Sequence, residues 1–425
     1  MGVITLGGDA AAPVPPPGTP SGGPMGRLRA AAVRLERATP PSRERAIDGL
    51  RAIAIVGIVL GHWMVAALVI WQDGGLRASS PLPSLPWIGP IGWGVQLLAL
   101  FFLVGGYVSA RSRGRSDYPA WLSARLFRLG RPVVLVTAVW GVLLVALPLL
   151  GVPPVTVRTG AVLVLQPLWF IGVFLLITAL TKVLFAADRR LGAAAALIPL
   201  AVVALIDLAR FGPWAAAVPD GVGYVNVVPA WMFAFQLGIA WANGRLRRAL
   251  ALALVVVGTA GLVVLVTRLG YPAAPIGYPG AERSNLNPPS LFVPVLAMAQ
   301  IGVAVLLRDR LDRLLRRPLP WAGIAVLNLN ALTVFCWHLT ALFVVSAAGS
   351  AWGVVPGLTS VPDSAGWLLA RVPWLVLFAA VLIPVSAALH RFERPWSGTL
   401  LGCWPVRVAV GAAAIGYAWA AIFLL

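Results

Sequence analysis

The chain has 425 residues, 60% of them hydrophobic and only 11% charged, with a formal net charge of +19. Soluble proteins carry roughly 25% charged residues, so a soluble enzyme is excluded. Apolar runs of roughly 20 residues recur along the chain and imply an all-α integral membrane protein, a polytopic helix bundle. The basic residues cluster in short stretches between those runs, as in loops at an anionic lipid surface. No nucleic-acid module pattern is present, so nucleic acid is not expected as a partner.

Residues 1–42 include "AAPVPPPGTPSGGP" and are expected to form a disordered cytoplasmic arm, without the apolar stretch of a signal peptide. Residues 43–425 are expected to form one transmembrane domain. Spans are predicted at about 50–72, 87–109, 132–151, 167–187, 192–210, 223–242, 249–268, 290–307, 323–347, 371–390 and 405–424. The count stands at ten or eleven, because "GAVLVLQP" in the 152–166 connection is apolar enough to be half-buried.

Charge tests this assignment. With the N-terminus cytoplasmic, 27 of the 33 Lys and Arg fall on the inner side and 6 on the outer, as the positive-inside rule demands. The C-terminus is then expected outside. A single lysine among those 33 cations, with abundant Ala, Gly and Pro, is the bias of a high-GC bacterium, and the expected location is the bacterial plasma membrane. The two cysteines, Cys336 and Cys403, have no metal-ligand spacing; neither a disulfide nor a metal is expected.

The first span, "RAIDGLRAIAIVGIVLGHWMVAAL" (45–68), carries Asp48, Arg51 and His62. Eleven residues at 100° each make three turns plus about 20°, so Arg51 and His62 share one stripe about 16 Å apart along the axis. Asp48 lies about 60° away on the same side. Arg51 is placed at the inner surface and His62 roughly at mid-bilayer. Asp48 reads either as an N-cap or as part of the site. Arg51 reads either as a snorkelling anchor or as a cation holding an anionic group. His62 reads either as a structural group bonded to a neighbouring helix or as a proton-transfer group. His338, in "LTVFCWHLTAL", is a second intramembrane histidine, able to bind acceptor, pair with His62 or hold a neighbouring helix. Asn328 and Asn330 lie below it and are candidates for bonds across helices. Gln96, Asn226, Gln236 and Gln300 are candidates to line a cavity.

"RAIDGLRAIAIVGIVLGH" resembles the first helix of the acyltransferase type 3 membrane family, which includes O-antigen acetylases and peptidoglycan O-acetyltransferase membrane domains. Arg51 and His62 have that family's spacing, with ten residues between them. In chain order, "LLALFFLVGGYVSARS" (97–112), "ARLFRLGRP" (124–132), "PLWFIGVFLL" (167–176), "LTVFCWHLTAL" (332–342) and "HRFERPW" (390–396) are similar to its later motifs. Ala52 and Gly105 depart from the usual Gly and Ser, and 167–176 lacks the acidic residue that many members carry there.

The resemblance implies transfer of an acyl group, commonly acetyl, from cytoplasmic acyl-CoA. Acceptors would be a hydroxyl of a cell-envelope glycan, a lipid-linked sugar or a secreted small molecule. His62 would be the general base, with Arg51 and Asp48 beside it; an acyl-histidine route stays open. Arg51, Arg125, Arg128 and Arg131 would contact CoA phosphates, for which planar arginine forks are suited; the bland reading of Arg125, Arg128 and Arg131 is topogenic charge. His338 and Trp169 would contact acceptor. Acyl-CoA is then the co-substrate, the bilayer and the acceptor are the partners, and a homo-oligomer stays open. A competing class is a transporter of a lipid-linked or acylated metabolite that uses His62 and His338 as relay groups.

Overall fold

The computed structural model describes residues 23–112, 117–278 and 283–393. Helices α1 (Pro24–Arg37) and α2 (Arg45–Val65) lead into a short hairpin of β1 (Ala67–Ile70) and β2 (Leu76–Ser79). There follow α3 (Gly92–Val95), α4 (Leu98–Arg111), α5 (Tyr118–Leu149), α6 (Pro154–Leu165), α7 (Trp169–Ala179), α8 (Thr181–Leu191) and α9 (Leu197–Phe211). The rest is α10 (Val227–Ala242), α11 (Arg248–Arg268), α12 (Phe292–Leu315), α13 (Pro318–Leu329), α14 (Ala331–Gly349) and α15 (Ala365–Glu393). Among the described residues, ten helical segments are long and apolar enough to cross a membrane. The protein is an all-α polytopic membrane protein. The expected span at 405–424 lies outside the described residues.

Several boundaries differ from expectation for physical reasons. The first span ends at Val65, not 72. There the β-prone "ALVI" pairs with 76–79 around Gly74, whose φ of 76° favours glycine. The 152–166 connection is helical and runs with α7 as one apolar segment, Pro154–Ala179, so the fourth crossing lies earlier than predicted. Residues 181–191, partly assigned to that crossing, form the separate helix α8, which carries Lys182, Asp188, Arg189 and Arg190. The ninth span is broken at Asn330 into α13 and α14. The N-terminal arm is not disordered throughout: 24–37 is helical, packs against α13, and is tied through Glu36 to Arg45 at 2.9 Å.

Helix α2 is the hub, packed against α4, α12, α13, α14 and α15. Its inner end is bolted by Glu44, which accepts from the Tyr107 hydroxyl, from Arg111 Nε at 3.1 Å and from Arg308 at 3.4 Å. At the outer side, buried Asp207 accepts from Asn226, Tyr271 and the Leu291 amide, and so holds the 269–291 loop on α9. Burial and the adjacent Asp207 carboxylate push the Tyr271 hydroxyl pKa up.

Hydrophobic attraction does not drive helix association in lipid, so close approach through small residues carries much of the packing. The α4–α10 crossing shows this. A Cβ on Gly238 would overlap Leu103 O and approach the Tyr107 amide to 2.9 Å; one on Gly106 would overlap Phe235 O. Gly238→Val is expected to cost about 1–3 kcal/mol by overpacking, read as a lower unfolding temperature in detergent. Wild-type stability would show that this crossing is not tight.

Sidedness has its own test. A cysteine at exposed Asn287 should react with an impermeant maleimide added to intact cells, and one at exposed Arg317 only after permeabilisation. The opposite pattern would invert the topology.

Candidate active site

Helices α2 and the α13–α14 pair run side by side and meet at two polar levels. At the inner level, Asp48 accepts from Arg43 Nε at 2.5 Å and from Arg51 at 3.2 Å. Arg51 Nε donates to Asn328 Oδ1 at 2.7 Å, and Asn328 Nδ2 donates to Asp48 O at 2.8 Å. Asp48, Arg51 and Asn328 thus form a closed ring across the two helices. Asp48 is not an N-cap: the helix starts at Arg45 with Glu44 in the cap position, which leaves Asp48 inside the first turn. The Asn330 side chain, at the break between α13 and α14, donates to Val326 O.

Of the α5 arginines, Arg128 lies within electrostatic reach of this level, at Arg51, and of Arg125. Arg125 donates to Ser109 Oγ at 3.0 Å and Ser112 Oγ at 2.8 Å, and lies 4.4 Å from the Trp121 ring centre. Arg128 is exposed. Arg131, one turn further along α5, is half-buried.

Three turns above Arg51, His62 meets His338: Nδ1 of His62 is 2.8 Å from Nε2 of His338. The rings are 18° from parallel, with centroids 5.0 Å apart. His338 is buried, at 1% exposure, and its Nδ1 is 2.6 Å from Phe335 O. A carbonyl only accepts, so His338 Nδ1 carries the hydrogen. In the neutral ring Nε2 then has the lone pair, and His62 Nδ1–H must be the donor to it. His62 Nε2 keeps its lone pair, with no hydrogen-bond partner among the described residues. The pair is fixed from behind by Trp63, whose Nε1 donates to His338 O at 2.9 Å. His62 does not sit at the middle of its helix: it lies in the last turn of α2, beneath the outer hairpin.

The wall beside the histidines is aromatic. Phe335 lies 5.5 Å from His338 and 4.4 Å edge-on to Phe170. The Trp169 ring packs against Trp231, with centroids 5.9 Å apart. Gln96 and Gln300 line a small, partly open pocket with Trp231, whereas Asn226 is spent on Asp207 and Gln236 on Leu184 O. Cys336 is a buried cysteine, and Cys403 lies outside the described residues. No group of three or more His, Cys, Asp or Glu able to hold a metal occurs among the described residues.

Three features were not singled out by sequence. Glu44, just ahead of α2, has no motif. Phe335 matters through its carbonyl, which no side-chain pattern reports. Arg371, one of the six cations counted on the outer side, is fully buried against the end of α2; the only signal was its place at the start of an apolar run.

A histidine pair with a fixed tautomer, His338 buried and His62 half-buried, stands about three turns above a cluster of arginines, an arrangement suited to proton transfer at one level and to holding an anionic ligand at the other. The sequence model of the family described as "Acyltransferase domain" matches residues 44–422. The chain belongs to this family, the acyltransferase type 3 family, and is a membrane acyltransferase. Neither curated proteins nor solved structures gave a match.

Proposed function

We propose that the protein moves an acetyl group from cytoplasmic acetyl-CoA to a hydroxyl of an envelope glycan, a lipid-linked sugar or a secreted small molecule. The observation that carries this reading is the His62–His338 bond, because it leaves a lone pair on His62 Nε2 for a proton. CoA phosphates bind at the inner level on Arg51, Arg125, Arg128 and Arg131, with bidentate guanidinium contacts. The pantetheine arm then spans the ~16 Å rise between Arg51 and His62.

At the upper level His62 Nε2 takes the acceptor hydroxyl proton as the oxygen attacks the thioester carbonyl. A C–O bond forms, the tetrahedral oxyanion collapses, and the C–S bond breaks. The proton held on His62 passes to the CoA thiolate. His338 holds His62 in the reactive tautomer and accepts its Nδ1–H throughout. Asp48 and Asn328 aim Arg51. Trp169 and the Phe170–Phe335 wall border the acceptor's entry.

The test is purified protein with radiolabelled acetyl-CoA and a panel of hydroxyl acceptors. Label is expected in an acceptor, or released as acetate when none is suitable. No loss of acetyl-CoA under any condition would overturn the assignment.

A further inference from the structure

Arg371, in the second turn of α15, has 0% of its surface exposed. None of its hydrogen bonds goes to a carboxylate. Its guanidinium donates instead to three backbone carbonyls: Nε to Trp63 O at 2.8 Å, one terminal nitrogen to Ala66 O at 2.6 Å and the other to Gly357 O at 2.9 Å. Its charge lies 4.7 Å from the Phe378 ring centre and 5.2 Å from that of Trp367. A buried ion without a counter-ion is costly, and in a membrane protein such a group is usually retained for a function.

The geometry accounts for its retention. Trp63 and Ala66 close the C-terminal turn of α2, where carbonyls lack helical partners and the helix dipole is negative. That turn is also the one that carries His62, and the Ala66 amide closes back on His62 O at 2.8 Å. Beyond it the chain leaves at once into the hairpin, so no further helical turn stiffens the end. Gly357 anchors the third donor; its φ is 70°, and a Cβ there would strike the Ala370–Arg371 backbone. One planar fork thus ties α2, the 350–364 loop and α15 together within one residue of His62.

We infer that Arg371 is a positioning residue for His62: it clamps the last turn of α2 so that His62 Nδ1 stays on His338 and Nε2 stays aimed at the reacting hydroxyl. This rests on the role proposed above for His62. The clamp needs the planar geometry as well as the charge, since lysine's ammonium is a compact point charge that does not reproduce the fixed fork.

The experiment compares wild type with Arg371→Met, Arg371→Lys and His62→Ala, each purified in detergent and corrected for folded fraction. Turnover and KM for acetyl-CoA are measured, with hydrogen exchange across residues 60–68. Arg371→Met is expected to lower kcat on the order of 10²-fold through misplacement of His62. KM for acetyl-CoA should stay within about two-fold, because the arginines assigned to CoA lie about 16 Å away along the axis. The Ala66 amide should exchange faster. Arg371→Lys should lose less than Arg371→Met on both readouts. A purely structural role would lower the folded yield but leave kcat per folded molecule unchanged, and that result would overturn the inference. With His62→Ala inactive, unchanged turnover in Arg371→Met overturns the clamp alone. Wild-type turnover in His62→Ala overturns the role of His62 and the clamp with it.

Discussion

His62→Ala is expected to lower acyl transfer on the order of 10²- to 10⁴-fold, the range that a positioned general base contributes. The expectation rests on a single lone pair. Phe335 O fixes the hydrogen on His338 Nδ1, His338 Nε2 must then accept, and His62 Nδ1 must donate. Only His62 Nε2 is left to take a proton. His62→Gln should be nearly as poor as alanine, because an amide can hydrogen-bond to His338 but cannot serve as a base near neutral pH. His338→Ala should cost less, since His62 keeps its basic nitrogen but loses what selects its tautomer and holds its ring. The two histidines act as one unit, so the effects should not add. In a double-mutant cycle, His338→Ala should change little once His62 is gone. Wild-type turnover in His62→Ala would sink the assignment, and fully additive losses would show that the two rings work independently.

Much of this site was legible in the sequence because it is written along one helix. The periodicity of α2 put Asp48, Arg51 and His62 on one side, and the Asp48–Arg51 pair at 3.2 Å agrees with that arithmetic. The recurrence of apolar runs gave the spans, and the basic clusters that sit between those runs agree with them. What was not legible lies between helices or in the backbone. Asn328 was marked as a cross-helix candidate, but its partners, Arg51 and the Asp48 carbonyl, are 277 and 280 residues away in the chain. The tautomer of the histidine pair is set by Phe335 O, and main-chain carbonyls have no sequence signature. The burial of Arg371 was not legible because a charge count records only the side of the membrane on which an arginine falls, and a guanidinium held by carbonyls looks the same on that scale. The early end of α2 was missed for a similar reason: "ALVI" is as apolar as a continued span, and only its pairing with 76–79 and the Ile70–Thr359 backbone bond turn it into a strand.

Arg51→Gln is expected to weaken acyl-CoA binding rather than the chemical step. A charge-assisted hydrogen bond to phosphate contributes about 1.5–3 kcal/mol, which corresponds to a rise in KM or Kd for acetyl-CoA of roughly 10- to 150-fold. The substitution is tolerable structurally because Asp48 keeps Arg43 at 2.5 Å, and glutamine can still donate to Asn328. The folded protein should therefore survive, and the loss should appear in binding. Arg128→Gln tests the same phosphate site from the exposed side. Its guanidinium lies near Arg51 and Arg125, which repel it, so a polyanion that enters among the three relieves that repulsion as it binds. Both variants should flatten the salt dependence of CoA affinity, since exposed charge pairs are screened. Titration of CoA and dephospho-CoA onto purified protein separates the contributions of the phosphates. If Arg51→Gln and Arg128→Gln bind CoA as wild type does, the inner arginines serve topology and lipid alone. The donor must then be held by groups higher in the bundle, closer to His62.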